Sequence, residues 1–139
     1  MNQLKDLMSP DVKIVGPDVS IREAASQMRD GDFGMMPVVD PKGGLIGTIS
    51  DRDIAIRAVA HGLSVETKVR DVMSKGVSSA LDTDTVEDAV RIMSEHQVRR
   101  LPVMDQDRNL VGIVALGDLA VKDERKPAAQ ALSQISKPS

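Results

Sequence analysis

The chain repeats itself. Shifted along its own length without a gap, residues 4–55 match residues 69–120 with 13 identities over 52 positions, and most other apolar positions meet apolar ones. Asp6/Asp71, Met8/Met73, Pro37/Pro102, Asp40/Asp105, Gly47/Gly112 and Asp53/Asp118 are among the matched pairs. A repeat of this length restricts the fold to two copies of one supersecondary unit. A copy so small covers its own sheet poorly, so the two are expected to pack together. The repeat divides the chain into a first copy (1–62), a connector (63–68), a second copy (69–121) and a polar, Pro-broken tail (122–139) expected to be mobile, with one short helix at 128–135.

Each copy reads in the same order. A short helical start carries Asp6-Leu7-Met8-Ser9 or Asp71-Val72-Met73-Ser74. Brief strands are expected at 12–15 and 77–80. A helix then opens at Ser20 or Thr85. Ser20 with Glu23 has the spacing of a capping box, and Thr85 with Asp88 is a weaker version. Apolar residues recur at helical spacing behind these caps: Ile21, Ala24, Ala25 and Met28, then Val86, Ala89, Val90 and Met93. Two strands follow, at 35–39 and 45–50, around the turn Asp40-Pro41-Lys42-Gly43-Gly44. Their counterparts are 101–104 and 110–114. Final helices are expected at 51–61 and 116–123. The unit is β-α-β-β-α, and the fold class is α/β (α+β).

Composition narrows the function. One Phe, no Trp and no Tyr leave the core to aliphatic residues and eight Met. The same lack removes the stacking platforms of single-strand binders. A net charge of −3 is not the footprint of a nucleic-acid partner. No apolar run approaches a membrane span, and the start MNQLKDLMSP has no signal-peptide character. The absence of Cys excludes thiolate chemistry and disulfides. A cytoplasmic protein is expected, with no membrane and no nucleic acid among its partners. No nucleophile–base pair, metal cluster or P-loop is visible, so no enzyme is expected. His61 and His96 are read as helix-end or surface residues. Asp51-Arg52-Asp53 only superficially resembles a metal motif.

The β-α-β-β-α unit, the h-P-V-h-D strands (Met36 to Asp40, Leu101 to Asp105) and the G-h-h-S/T-x-x-D ending resemble the CBS (cystathionine beta-synthase) domain. The resemblance covers both copies, and the Asp-h-Met-Ser starts are similar to those of small stand-alone bacterial CBS pairs. It implies two repeats packed through their sheets with pseudo-twofold symmetry. It also implies clefts that take AMP, ADP, ATP or S-adenosylmethionine with no further cofactor, and pairing into a homodimer through the end helices. A regulated protein would be reached in trans.

For the site, the resemblance puts a ribose diol on Asp53, whose carboxylate can accept two O–H bonds at once. Ser50 and the N–H groups of the following turn would face the phosphate. Ile14 with Pro37 and Val38 would hold the base, and Thr48, Pro102 and Val103 are counted among the ligand-binding residues. Arg99 and Arg100 would reach the phosphate. The second copy keeps Asp118 but carries Ala115 where the first has Ser50, which puts its cleft in doubt. A plain structural reading stays open beside this one: Ser50 or Asp51 as an N-cap, and Asp53 as a first-turn acid. An interaction protein with ligand-free clefts is the second functional reading.

Overall fold

A computed structural model describes residues 3–122 of the chain; the helix expected at 128–135 and the rest of the tail lie outside them. The chain forms two compact units. One holds Lys13–Val77, and the other joins the described residues up to Val12 to those from Ser78 to Lys122. Packing and repeat therefore divide the chain differently. Each unit takes the body of one copy and the leading segment of the other.

In the unit Lys13–Val77, helix α1 (Ile21–Gly31) starts at Ser20, whose hydroxyl accepts from the Glu23 N–H at 3.1 Å. Its buried stripe is Ile21, Ala24 and Met28. Strands β1 (Met35–Val39) and β2 (Leu45–Ser50) pair antiparallel. The turn between them forms as expected, because Asp40 Oδ1 accepts from the N–H groups of Lys42 and Gly44 while Gly43 adopts φ +89°. The strand expected at 12–15 shrinks to one parallel bridge, Val15 to Val38. The final helix is α2 (Asp51–Asp53), continued by a π-helical turn (Ile54–Ala58) and a 3-10 turn (Val59–His61). Met36, Val38, Ile49, Val69 and Val72 centre the core.

The other unit repeats this plan. It contains β3 (Ala80–Leu81), α3 (Val86–His96), β4 (Arg100–Met104), β5 (Leu110–Ala115) and α4 (Leu116–Lys122). Here the first strand is real, β3 running parallel to β4, but it begins at Ala80, later than the expected 77. Both hairpins carry a register shift at equivalent places, Val38/Val39 and Val103/Met104. Leu4, Met93, Leu101, Val103, Leu116 and Leu119 lie in its core.

The helix caps invert the expectation. Thr85 and Asp88 form the complete reciprocal box, at 3.0 and 3.2 Å. The Thr85 backbone N–H donates to the Asp88 carboxylate and lowers its pKa from the ordinary value. Glu23 does not reach back to Ser20. Its longer side chain accepts instead from Gln27 Nε2, one turn on. The shorter Asp is the better length for closing the box here.

The leading segments explain two glycines. Thr48 and Ser74 exchange backbone bonds at 3.0 and 2.8 Å, so Ser74 closes the open edge of β2. Ser9 and Ile113 do the same for β5, at 2.9 and 3.1 Å. A methyl group on Gly47 would meet Ser74 O at 2.7 Å and Met73 Sδ at 2.9 Å. One on Gly112 would run into the Met8 side chain. The Asp-h-Met-Ser tetrad and the Gly of the strand are thus two halves of one contact.

Candidate functional site

The end of β2 builds the most constrained polar group of the fold. Ser50 is in extended backbone and caps α2. Its Oγ accepts from the Asp53 N–H at 3.0 Å, and its own N–H donates to Asp53 Oδ2 at 3.0 Å. This is a closed capping box. Asp53 Oδ1 accepts from the Ser74 hydroxyl at 3.1 Å, and the Arg57 Nε lies 3.7 Å away. Arg57 also donates through Nη1 to the Met73 carbonyl at 3.0 Å. Among the described residues Asp53 is the one buried charged side chain, with 8% of its surface exposed. Burial of a carboxylate is tolerated when its oxygens are bonded, as here.

The N–H groups that were expected to face an anion have internal partners instead. Asp51 donates to Gly34 O, Arg52 to Asp51 Oδ1 and Asp53 to Ser50 Oγ. What the turn still offers is the hydroxyl hydrogen of Ser50. Ser74 and Arg57 were not singled out from the sequence. Arg57 had a readable signal, since it lies four residues after Asp53 on a helix. Ser74 had none, because nothing in the tetrad says which copy it docks on.

The pleat sorts the expected base-binding residues. Val38 is fully buried in the core beside Met36 and Ile49, and Val103 is buried in the other unit. Their side chains point inward, so these two offer a ligand no exposed side chain. Alternation puts Pro37, itself buried, on the opposite face of β1, paired with Thr48. Ile14 precedes the bridge residue Val15 and is 48% exposed. Ile14, Pro37, Thr48 and Ser50 therefore belong to one unit and to its non-core side. A cavity of about 310 Å³ lies elsewhere in this unit, lined by Ala25, Met28, Arg29, Phe33, Asp51 and Ile54. It includes none of the expected ligand residues. Among the described residues, no three His, Asp or Glu side chains gather to hold a metal ion, and no helix is long and apolar enough to cross a membrane.

A profile of the CBS domain matches residues 4–59 and 69–123. The chain belongs to the CBS domain family. CBS domain-containing protein YhcV of Bacillus subtilis is 47% identical over 137 residues, covering 98% of this chain and 96% of that protein. The crystal structure of the CBS domain pair of MJ0100, in complex with 5′-methylthioadenosine and S-adenosyl-L-methionine, is similar with a TM-score of 0.79 at 29% identity, over 88% of this chain and 95% of that one. That of CBSX2 in complex with AMP is similar with a TM-score of 0.74 at 26% identity, over 99% and 100%.

The two halves of this CBS pair are unequal at the corresponding position. Asp118 is exposed in the first turn of α4, preceded by Ala115 in place of Ser50. No hydroxyl exists there to form a capping box. Arg100 opens β4 and is exposed, as is Arg99. Pro102 pairs with Ile113 on the non-core side of β4, as Pro37 pairs with Thr48. Arg99, Arg100, Pro102, Val103 and Asp118 all belong to the unit that begins again at Ser78; Ile14, Pro37, Val38, Thr48, Ser50 and Asp53 belong to the other.

Proposed function

We propose that this CBS pair is a cytoplasmic regulatory module that binds an adenosine nucleotide and acts in trans on a partner protein, without catalysis of its own. The observation carrying the proposal is the Ser50–Asp53 pair at the end of β2, the strand whose Thr48 pairs with Pro37. A buried, fixed carboxylate next to a hydroxyl with a spare hydrogen suits a ribose and its phosphate. Asp118 marks a weaker counterpart in the other unit. The adenosine ligands in the MJ0100 and CBSX2 structures support the ligand class. Nothing in the set of side chains supplies a proton shuttle near pH 7.

A second reading has an observation in its favour. Every first-turn N–H and both oxygens of Asp53 already have internal partners, which is all that a structural cap requires. On that reading the protein is an interaction scaffold. A thermal-shift panel of AMP, ADP, ATP, S-adenosylmethionine and NAD separates the two. A ligand at 100 times its Kd stabilises the fold by about 2.7 kcal/mol. We expect an adenosine compound to do so; no shift with any of them favours the scaffold.

The proposal includes a homodimer. Beyond α2 the helical stretch exposes Ile56 and Val59, the latter by 67%, and Leu63 is exposed just after its end. Two copies meeting there would remove these side chains from water. Sedimentation at tens of micromolar is expected to show a dimer, and Val59→Asp to shift it to monomer. A monomeric wild type removes this part of the proposal.

A further inference from the structure

Asp53 is called on to accept a diol, yet its carboxylate is nearly sealed, with 11% of the side chain exposed. Its two oxygens are not held alike. Oδ2 takes the Ser50 backbone N–H, which cannot leave without opening the turn that ends β2. Oδ1 takes the Ser74 hydroxyl, which rotates away about one side-chain bond while the Ser74 backbone stays bridged to Thr48. Arg57, the third group at Oδ1, is half exposed and anchored to Met73 O. Of the three, Ser74 is the group that yields most easily.

We propose that Ser74 is a built-in competitor for the ligand: its hydroxyl occupies the acceptor that a ribose hydroxyl needs, so a diol binds Asp53 only by displacing it. This rests on the nucleotide reading of the Asp53 site. It makes Ser74 a specificity-determining residue. A diol alone exchanges one O–H···O bond for another and gains little, so only a ligand with further contacts through its base and phosphate is retained. It also names what the ligand changes first. The displaced hydroxyl sits three residues before Val77, where one compact unit ends and the chain passes into the other. The second copy has no such device, because Asp118 is exposed and lacks the capping serine.

Calorimetry with AMP and 2′-deoxy-AMP on wild type, Ser74→Ala and Ser74→Thr tests this. Removing a hydrogen bond to a charged group is expected to tighten AMP by about three- to tenfold in Ser74→Ala. The same variant is expected to widen the preference for AMP over 2′-deoxy-AMP, and Ser74→Thr, which keeps the hydroxyl, to restore wild-type values. A merely structural serine would leave affinity unchanged or weaken it on removal, and either result overturns the competition. A wild type that binds AMP and 2′-deoxy-AMP equally, or neither, overturns the diol reading of Asp53 beneath it. A wild type that prefers AMP, with Ser74→Ala unchanged, overturns the competition alone.

Discussion

Asp53→Ala is expected to cost the fold about 1–3 kcal/mol, the penalty for leaving partly buried donors without their acceptor. The substitution orphans the Ser50 N–H and the Ser74 hydroxyl and removes the carboxylate from Arg57, which keeps its bond to Met73 O. Asp118→Ala removes an exposed side chain with no cap to break, and is expected to stay within about 0.5 kcal/mol of wild type. Urea denaturation of the two variants reads the difference directly. Binding is expected to follow the same order. Loss of a charged acceptor serving two hydroxyls amounts to about 1.5–3 kcal/mol, roughly ten- to a hundredfold in Kd. AMP titrations are therefore made at a temperature where Asp53→Ala is still folded. Equal losses of affinity in the two variants would contradict the assigned asymmetry. The burial of Asp53 is what ties its removal to stability as well as to binding.

Gly47→Ala is the other substitution with a large expected effect. The new methyl would stand 2.7 Å from Ser74 O, a backbone atom that already accepts from the Thr48 N–H. Neither strand can retreat without breaking the bridge at the edge of β2. Overpacking of this kind costs about 1–3 kcal/mol. Gly112→Ala is expected to cost less. Its closest obstacle is the Met8 side chain, which is flexible, and the Ser9 carbonyl lies farther off at 3.0 Å. Denaturation midpoints are expected in the order wild type, Gly112→Ala, Gly47→Ala. Wild-type stability in Gly47→Ala would show that the bridge is dispensable.

Much of this architecture can be read from residues. The repeat sets the two β-α-β-β-α bodies, the apolar stripes set the buried faces of α1 and α3, and Asp40 and Asp105 set the hairpin turns. The exchange of leading segments could not be read, for a physical reason. Met8 and Met73 match each other, as do Gly47 and Gly112. Either tetrad therefore suits either strand, and only the path of the connector selects between them. The site was legible in part. Ser50 and Asp53 were legible as a strand-to-helix turn, and the plain capping alternative describes their observed bonds. The burial of Val38 and Val103 was not legible, because a P-V pair in a strand does not say which of its residues faces the core. Arg57 and Ser74 were missed because their importance comes from Asp53 being buried, which spacing does not reveal.

The exchanged segments also impose an order on how the molecule is made. Lys13–Val77 is contiguous, so that unit has all its parts as soon as its last residue is synthesised. The other unit is not. Leu4 bonds to Asp84 and Ser9 to Ile113, partners made roughly a hundred residues later. At ribosomal speeds that delay is on the order of ten seconds. Throughout it Leu4, Leu7 and Met8 have no core to enter, and the strand they will close does not yet exist. Residues 4–9 thus emerge well before the partners that bury them, which leaves this short apolar stretch of the nascent chain in need of protection.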